Sequence, residues 1–213
     1  YYNGNHVRDF FSPGGLKKLG THQVPPIVAR GIVLDIVGYL KEKDPSKVMT
    51  EGGFNMLRAG TPVNQAEIEG ALARQGIALK TGDVVLIHTG YMEHAWSPVT
   101  RSIAVSKPMT DIAHPQYKMS VPGLGVGGTI FLAKHNPVAV GADTFSTEVI
   151  PWEDKDTYFP VHLELMPKRG IYNLENMVTR ELVNDEAWEL MFVMVTTSKV
   201  TRRPQKLSKS YAE

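Results

Sequence analysis

Histidine and acidic residues lie near the ends of apolar segments in the second half of this chain. His162 and Glu175 are thirteen residues apart, and the apolar run 137–142 ends at the acid Asp143. Imidazole nitrogen and carboxylate oxygen are ligands that zinc and manganese accept. The pair therefore predicts half of a divalent metal site. A single His–Glu pair is also common as a hydrogen-bonded surface pair, and spacing alone does not decide between the two interpretations.

Apolar segments bounded by turn residues predict the sheet that must position these side chains. Residues 27–40, 84–88, 137–142 and 189–197 are expected to be strands, because β-branched and other apolar residues dominate them. The third strand is rich in small residues and is expected to bring Asp143 to the rim of the sheet. Open α/β sheets bind their ligands at such strand ends.

Helix signals alternate with these strands. Asn64 and the acid three residues later form a capping box, and Gly76 follows the apolar residues at helical spacing, so a helix is predicted between them. Further helices are expected over 122–134, opened by its proline, and over 179–188. Residues 41–60 are polar and are interpreted as an exposed insertion. The alternation predicts an α/β fold with a mixed β-sheet.

Composition limits the class of protein. The chain has 213 residues, 42% of them hydrophobic, and fits a single domain with a sizeable core. A formal net charge of +1 argues against nucleic-acid binding as its general function. The absence of cysteine excludes disulfides and thiolate metal sites, and is compatible with the cytoplasm. No apolar run approaches the ~20 residues that span a bilayer, so no membrane partner is expected.

Five phrases stand in a fixed order along the chain: RGIVLD at 30–35, GDVVLIHTGY at 82–91, PGL at 122–124, VGADT at 140–144, and VH followed by GIYNLEN within 161–176. In this order they resemble the cyclase family of metal-dependent hydrolases, which includes kynurenine formamidase and isatin hydrolase. The likeness extends over about residues 1–195. It implies a mixed β-sheet core with flanking helices, of the swivelling β/β/α type.

The resemblance also implies an activity and a site. The implied enzyme uses Mn²⁺ or Zn²⁺ to activate water, which attacks the carbonyl carbon of an amide, lactam or formamide, cleaving a C–N bond other than a peptide bond. His162 and Glu175 are the implied metal ligands and catalytic residues. Asp143, Thr144 and Glu148 are expected to orient a ligand by hydrogen bonding.

Two tryptophans beside polar loops are candidates for the substrate pocket. Trp96 and Trp152 could line a pocket for a flat small molecule, although ordinary packing explains each equally well. The resemblance further implies a homodimer or a larger homo-oligomer. An alternative from another class is a catalytically inactive relative that serves as a binding or assembly module.

One part of the family pattern is missing from this chain. Family members carry a His-x-Gly-Thr-His-x-Asp-x-x-x-His segment before the Arg-Gly strand, and it supplies most of the metal ligands. The triplet that ends at His22 does not replace it, because Gln23 and then two prolines follow. The chain is therefore interpreted as an amino-terminally truncated, cyclase-like domain. As such it is expected to bind metal poorly and to be inactive by itself.

Two further patterns suggest other ligands. The run 123–128 satisfies Gly-x-Gly-x-x-Gly, but a dinucleotide site needs a strand directly before its first glycine, and residues 114–122 are poor strand material. Residues 199–213 are basic and are interpreted as a solvated tail rather than a nucleic-acid arm. Neither pattern changes the prediction of a metal-dependent hydrolase.

Overall fold

The computed structural model describes residues 4–13, 15–51, 53–94, 96–97, 102–103 and 120–196, with the backbone alone for 93, 94, 96, 97, 102 and 103. In chain order the strands are β1 (Phe11–Ser12), β2 (Gly15–Leu16), β3 (Ile27–Asp35), β4 (Val48–Glu51), β5 (Phe54–Leu57), β6 (Pro62–Val63), β7 (Val84–His88), β8 (Trp96–Ser97), β9 (Ser102–Ile103), β10 (Gly123–Leu124), β11 (Ala139–Ala142), β12 (Tyr172–Leu174) and β13 (Glu189–Met194). The α-helices are α1 (Val7–Phe10), α2 (Ile36–Lys43), α3 (Gln65–Gln75), α4 (Val126–Ala133), α5 (Pro160–Arg169) and α6 (Arg180–Asn184). Short 3-10 helices cover Thr21–Gln23, Pro45–Lys47 and Tyr91–His94.

A five-stranded mixed sheet with the order β12-β11-β7-β3-β13 forms the centre of the fold. The first four of these strands are mutually parallel, and β13 pairs antiparallel with β3. Every residue of β7 and β11 is buried, which explains their continuous apolar sequences. Because parallel strands end at the same edge, this edge collects the polar residues that end or follow the strands: Asp35, His88, Asp143 and Glu175.

Helices cover both faces of this sheet. One face packs against α2, α3, α4 and α5 in a single buried cluster that includes Leu34, Ile68, Leu132 and Leu165. The opposite face is covered in part by α6, whose Leu182 packs on it. The predicted α/β fold with a mixed sheet and flanking helices is confirmed.

Two predictions about the first half of the chain are wrong. The first strand ends at Asp35, because the Asp35 carboxylate accepts a hydrogen bond from the Gly38 N–H at 2.8 Å and so caps α2. Residues 41–60 are not an exposed insertion. Within them β4 and β5 pair as a hairpin, and Met56 and Leu57 are buried in the core.

The helix predictions are more accurate. The capping box at Asn64 is present, and Gly76 ends α3 in the left-handed conformation with φ 67°. The helix expected over 122–134 begins only at Val126, because residues 123–124 pair with β6 as β10. The helix expected over 179–188 is shorter and covers α6 alone.

Some predictions fall on residues outside the described ranges. They include the basic tail 199–213 and the side chain of Trp96. Within the part of the chain that is described, no helix has both the length and the apolar character needed to cross a membrane.

Candidate functional site

Helix α5 carries His162 in its first turn, and its amino-terminal end has an unusual cap. The N-cap residue Phe159 has a left-handed backbone, with φ 53°, and its side chain makes no capping hydrogen bond. Glu148 supplies the cap from another segment. Its Oε2 accepts hydrogen bonds from the backbone N–H of Val161 at 2.8 Å and of His162 at 3.2 Å. A carboxylate here is stabilised by the partial positive charge of the helix end.

The His162 imidazole lies between two carboxylates. Its Nδ1 is 3.2 Å from Glu148 Oε2, and its Nε2 is 3.1 Å from Glu175 Oε1. Asn173 Nδ2 is 3.1 Å from the same Nε2 and 3.2 Å from Glu175 Oε1. Glu148 is fully buried, whereas 19% of the His162 side chain is exposed. Three residues predicted from the sequence therefore meet in one place.

These carboxylates control the charge of the imidazole. Burial of the ring lowers the pKa of His162, but Glu148 and Glu175 on its two sides outweigh burial and raise the pKa to about 9. Burial raises the pKa of Glu175, but its hydrogen bond and charge pairing with His162 dominate and the net shift is downward. At neutral pH the site therefore holds a protonated imidazole with ionised Glu175.

This pKa predicts a pH-dependent stability. A histidine whose folded-state pKa is about 9, against an unfolded value of 6.5, stabilises the fold fully below pH 6.5 and loses that contribution as the pH rises towards 9. Since the ring is partly open to solvent, we expect a loss of about 1–2 kcal/mol over this interval. Urea unfolding at pH 6.5 and pH 9 should show this loss in the wild type and not in His162→Asn. His22→Gln, at an exposed histidine, is the control and should lose as much unfolding free energy between pH 6.5 and pH 9 as the wild type. A loss of the wild-type size in His162→Asn would contradict the prediction.

Unpartnered polar atoms surround the same place. Most buried polar groups in proteins form hydrogen bonds, so each exception needs an explanation, such as local strain, an ion, a ligand or a water molecule. Those in the described residues belong to the loop 143–152, the start of α5 and the segment 173–176. They are Ser146 Oγ, Glu148 Oε1, Trp152 Nε1, His162 Nδ1, Asn173 Oδ1 and Asn176 Oδ1.

Aromatic rings lie next to His162. The centroid of Phe159 is 5.2 Å from that of His162, in an edge-on arrangement. Trp152 contacts both Phe159 and Tyr158, with centroids 5.0 Å and 5.1 Å away. Tyr158 is largely exposed. Trp152, one of the two predicted pocket residues, therefore belongs to an aromatic cluster beside the imidazole.

Asp143 and Thr144 make different contacts. The Asp143 carboxylate accepts hydrogen bonds from the N–H and hydroxyl of Thr89 at 2.9 Å and 2.6 Å and from the N–H of Gly90 at 2.8 Å. It also lies 3.3 Å from Nδ1 of buried His88. Burial raises the pKa of Asp143, although His88 and these donors oppose the shift. The Thr144 hydroxyl donates to a backbone carbonyl two residues on, and none of these hydrogen bonds reaches the imidazole of α5.

The glycine-rich run at α4 has a structural explanation. The N–H of Val126 donates to Glu153 Oε2 at 3.0 Å, and the N–H of Gly128 donates to Asn64 Oδ1 at 3.1 Å. Asn64 and Glu153 are themselves joined at 2.8 Å. A Cβ at Gly125 would stand 2.3 Å from each of these two side chains. The chain's own side chains thus occupy the helix end where a dinucleotide phosphate would bind.

Asn173 is the member of the site that the sequence-based prediction missed. It stands two residues before Glu175, so the two side chains share one face of the extended segment. That period-2 relation is a signal that could have identified Asn173. The relation predicts a contact between Asn173 and the site only when the position of His162 is also known.

Fold and site together define an α/β protein with a histidine–carboxylate site at the carboxyl edge of its sheet. The Cyclase family model matches residues 6–149, more than half of the chain. The chain belongs to this family, as the ordered phrases in its sequence predicted.

Two solved structures share this fold. A crystal structure described as a novel cyclase matches with a TM-score of 0.66 and 27% identity, over 89% of this chain and 56% of that one. Isatin hydrolase A from Ralstonia solanacearum matches with a TM-score of 0.50 and 16% identity, over 73% of this chain and 49% of that one. The chain thus spans about half the length of these relatives. A comparison with curated proteins gives no match.

Proposed function

We propose that this chain is part of a metal-dependent hydrolase that cleaves a C–N bond of a small amide, lactam or formamide. One observation carries the proposal: His162 stands between Glu148 and Glu175 at the carboxyl edge of the sheet, among buried polar atoms that lack partners. Most buried polar groups form hydrogen bonds, whereas Glu148 Oε1 and His162 Nδ1 in this group have no hydrogen-bond partner among the described residues. Membership of the cyclase family supports the same assignment.

The donor chemistry fits a divalent ion, but only as part of a ligand set. His162 Nε2 and Glu175 Oε1 are the nitrogen and oxygen donors that Zn²⁺ and Mn²⁺ accept. Among the described residues, no group of three or more His, Cys, Asp or Glu side chains is placed to hold a metal. An ion that prefers four or more ligands would need further donors. Since the chain spans about half of its solved relatives, we propose that these donors lie beyond the described residues.

Each residue of the site then has a distinct task. The Glu148 carboxylate, whose Oε2 lies 3.2 Å from Nδ1 without hydrogen-bond geometry, would favour a ring proton on that nitrogen through its charge and leave Nε2 free to bind the ion. Glu175 would contribute a carboxylate oxygen, and Asn173 would fix its orientation through the hydrogen bond at 3.2 Å. When bound, the ion would polarise the substrate carbonyl and lower the pKa of a water molecule towards ~7.

The protonation of His162 couples metal binding to pH. With a pKa of about 9, the imidazole carries a second proton at neutral pH and must release it before Nε2 can bind an ion. Metal affinity is therefore expected to rise with pH up to about 9.

The Trp152–Phe159 cluster beside the ring offers an apolar surface for the substrate.

Metal dependence tests the proposal. The 213-residue chain should bind Mn²⁺ and Zn²⁺ more weakly than micromolar in calorimetric titrations, because its described residues bring only two candidate ligands together. Protein that carries the further donors should hydrolyse formanilide or isatin, stop when a chelator is added, and recover with Mn²⁺ or Zn²⁺. Turnover that survives the chelator would contradict a metal-dependent mechanism. Tight metal binding by this chain alone would show that the ligand set has been assigned incorrectly.

A further inference from the structure

A small hairpin in the first part of the chain carries exposed apolar side chains. Its strands β1 and β2 pair with each other, and no other strand of the described residues joins them. Phe11 is directly opposite Leu16 in this ladder, so the two side chains lie on the same face of the hairpin. Phe11 is 61% exposed and Leu16 45%. Isolated exposed apolar residues are ordinary, whereas adjacent ones indicate a contact surface.

The hairpin is held in place by its own hydrogen bonds and by one buried ring. The Lys17 N–H donates to the Phe10 carbonyl at 2.7 Å, and the Ser12 hydroxyl donates to the Gly15 carbonyl at 2.8 Å. The Phe10 side chain is buried, whereas that of its neighbour Phe11 is exposed. The exposure of Phe11 is therefore a property of the folded chain.

Further exposed side chains flank this apolar pair. Val7 in α1 and Leu19 after β2 are also exposed apolar residues. The cations of the same stretch are Arg8, Lys17 and Lys18, and all three are exposed. Residues 4–24 contain only one acid, Asp9, although the whole chain is nearly balanced with 23 basic and 22 acidic residues. We refer to residues 7–13 and 15–19 as the hairpin segment, which combines an apolar and a positively charged surface.

The chemistry of the hairpin segment favours a lipid bilayer with anionic headgroups as its partner. Protein segments that rest on such a bilayer combine bulky apolar side chains, which enter the acyl boundary, with lysine and arginine, which contact the headgroup phosphates. A nucleic acid would pair with the cations and leave Val7, Leu16 and Leu19 in water. A protein partner would need an apolar groove surrounded by acids, whereas any anionic bilayer provides both parts.

A contact of this kind differs from a membrane span. The sequence led us to expect no membrane partner because no apolar run is long enough to cross a bilayer. A peripheral contact requires no spanning segment, since a few apolar side chains and nearby cations bind the interface reversibly.

We propose that the hairpin segment is a peripheral docking site for the surface of an anionic phospholipid bilayer. Phe11 and Leu16 enter the boundary between headgroups and acyl chains, and Arg8, Lys17 and Lys18 contact the lipid phosphates. Charge and apolar burial act together, so neither suffices alone. This surface is independent of the hydrolase assignment.

Co-sedimentation of the 213-residue chain with phospholipid vesicles tests the proposal. The wild type is expected to bind vesicles of phosphatidylcholine with about one third phosphatidylserine, and to bind pure phosphatidylcholine at least about tenfold more weakly. The double variant Lys17→Glu with Lys18→Glu should bind the anionic vesicles at least about tenfold more weakly than the wild type, because two attractive charges become repulsive. Added salt should release the wild type, since it screens exposed charges.

The control makes the same charge change elsewhere. Lys41→Glu with Lys43→Glu replaces two exposed lysines of α2 and should bind the anionic vesicles within about twofold of the wild type. Circular dichroism verifies that both double variants fold. Equal weakening by the two double variants overturns the proposal, because net charge and not the hairpin segment would then control binding. Failure of the wild type to bind anionic vesicles also overturns it and points to an acidic protein as the partner.

Insertion of the apolar side chains is tested with a single labelled cysteine, since the chain has none of its own. In Phe11→Cys carrying the fluorophore NBD, the label takes the place of the phenyl ring. Its emission should become brighter and shift to shorter wavelength when phosphatidylserine-containing vesicles are added. Met191→Cys with the same label, at a side chain that is 76% exposed on β13, should show no change. No change at Phe11→Cys, or an equal change at both positions, overturns insertion at the hairpin.

Discussion

Replacing Glu148 by alanine is expected to lower the free energy of unfolding by about 3–4 kcal/mol. Two losses combine in this variant. The backbone N–H groups of Val161 and His162 lose their acceptor, and the protonated imidazole loses the fully buried carboxylate at 3.2 Å. A charge left without its buried partner is more destabilising than the loss of an ordinary cap. Urea unfolding at pH 7 measures the change directly.

Two further variants separate these contributions. Glu148→Gln keeps an oxygen acceptor for the helix and removes only the charge, so its loss should be about half as large. Glu153→Ala is a matched control, since Glu153 caps α4 through Val126 but is exposed and has no histidine partner; it should cost about 1 kcal/mol. Equal losses in Glu148→Ala and Glu153→Ala would show that the imidazole–carboxylate pair contributes nothing beyond capping.

The sequence predicts elements whose signals are local. Helix α3 is set by its capping box and by Gly76, and β7 and β11 by short apolar runs that turns enclose. The end of β3 was missed because the apolar pattern continues through Ile36 and Val37, which are buried in α2 instead. The Asp35 side chain caps α2, so the apolar residues that follow it form a helix instead of continuing the strand. A short apolar run alone does not distinguish a buried helix from a buried strand.

The site was only partly predictable for a similar reason. His162 and Glu175 are thirteen positions apart, an interval that contains the rest of α5, a two-residue connection and the strand β12, so the spacing reflects an α–β unit rather than a local metal motif. Glu148 was identified as an orienting residue, but its role as the cap of α5 depends on a contact fourteen residues away along the chain. Glu148 lies in the loop after β11, and α5 leads into β12, which pairs with β11, so the contact is set by the tertiary arrangement of this unit. Residue types therefore predicted which side chains belong to the site, whereas the contacts between them depend on the tertiary structure.

Glu175→Gln is expected to reduce kcat/KM for amide hydrolysis by about 10³-fold in protein that carries the complete ligand set. The substitution keeps the shape of the side chain and its hydrogen bond with Asn173, but removes the charge that pairs with His162 at 3.1 Å and that would contribute to metal binding. Because Glu175 is partly exposed, the fold should tolerate the change, with unfolding free energy lowered by about 1 kcal/mol. A large loss of turnover with a small loss of stability identifies a chemical role.

Glu164→Gln provides the comparison within the same helix. Glu164 lies two residues from His162, but it pairs with Lys168 and Arg169, away from the imidazole. Its replacement should change kcat/KM for formanilide or isatin by less than about twofold, because no group of the site depends on it. Metal content should fall in Glu175→Gln and stay at the wild-type level in Glu164→Gln. Wild-type turnover by Glu175→Gln would remove Glu175 from the mechanism and leave its contact with His162 as a structural ion pair.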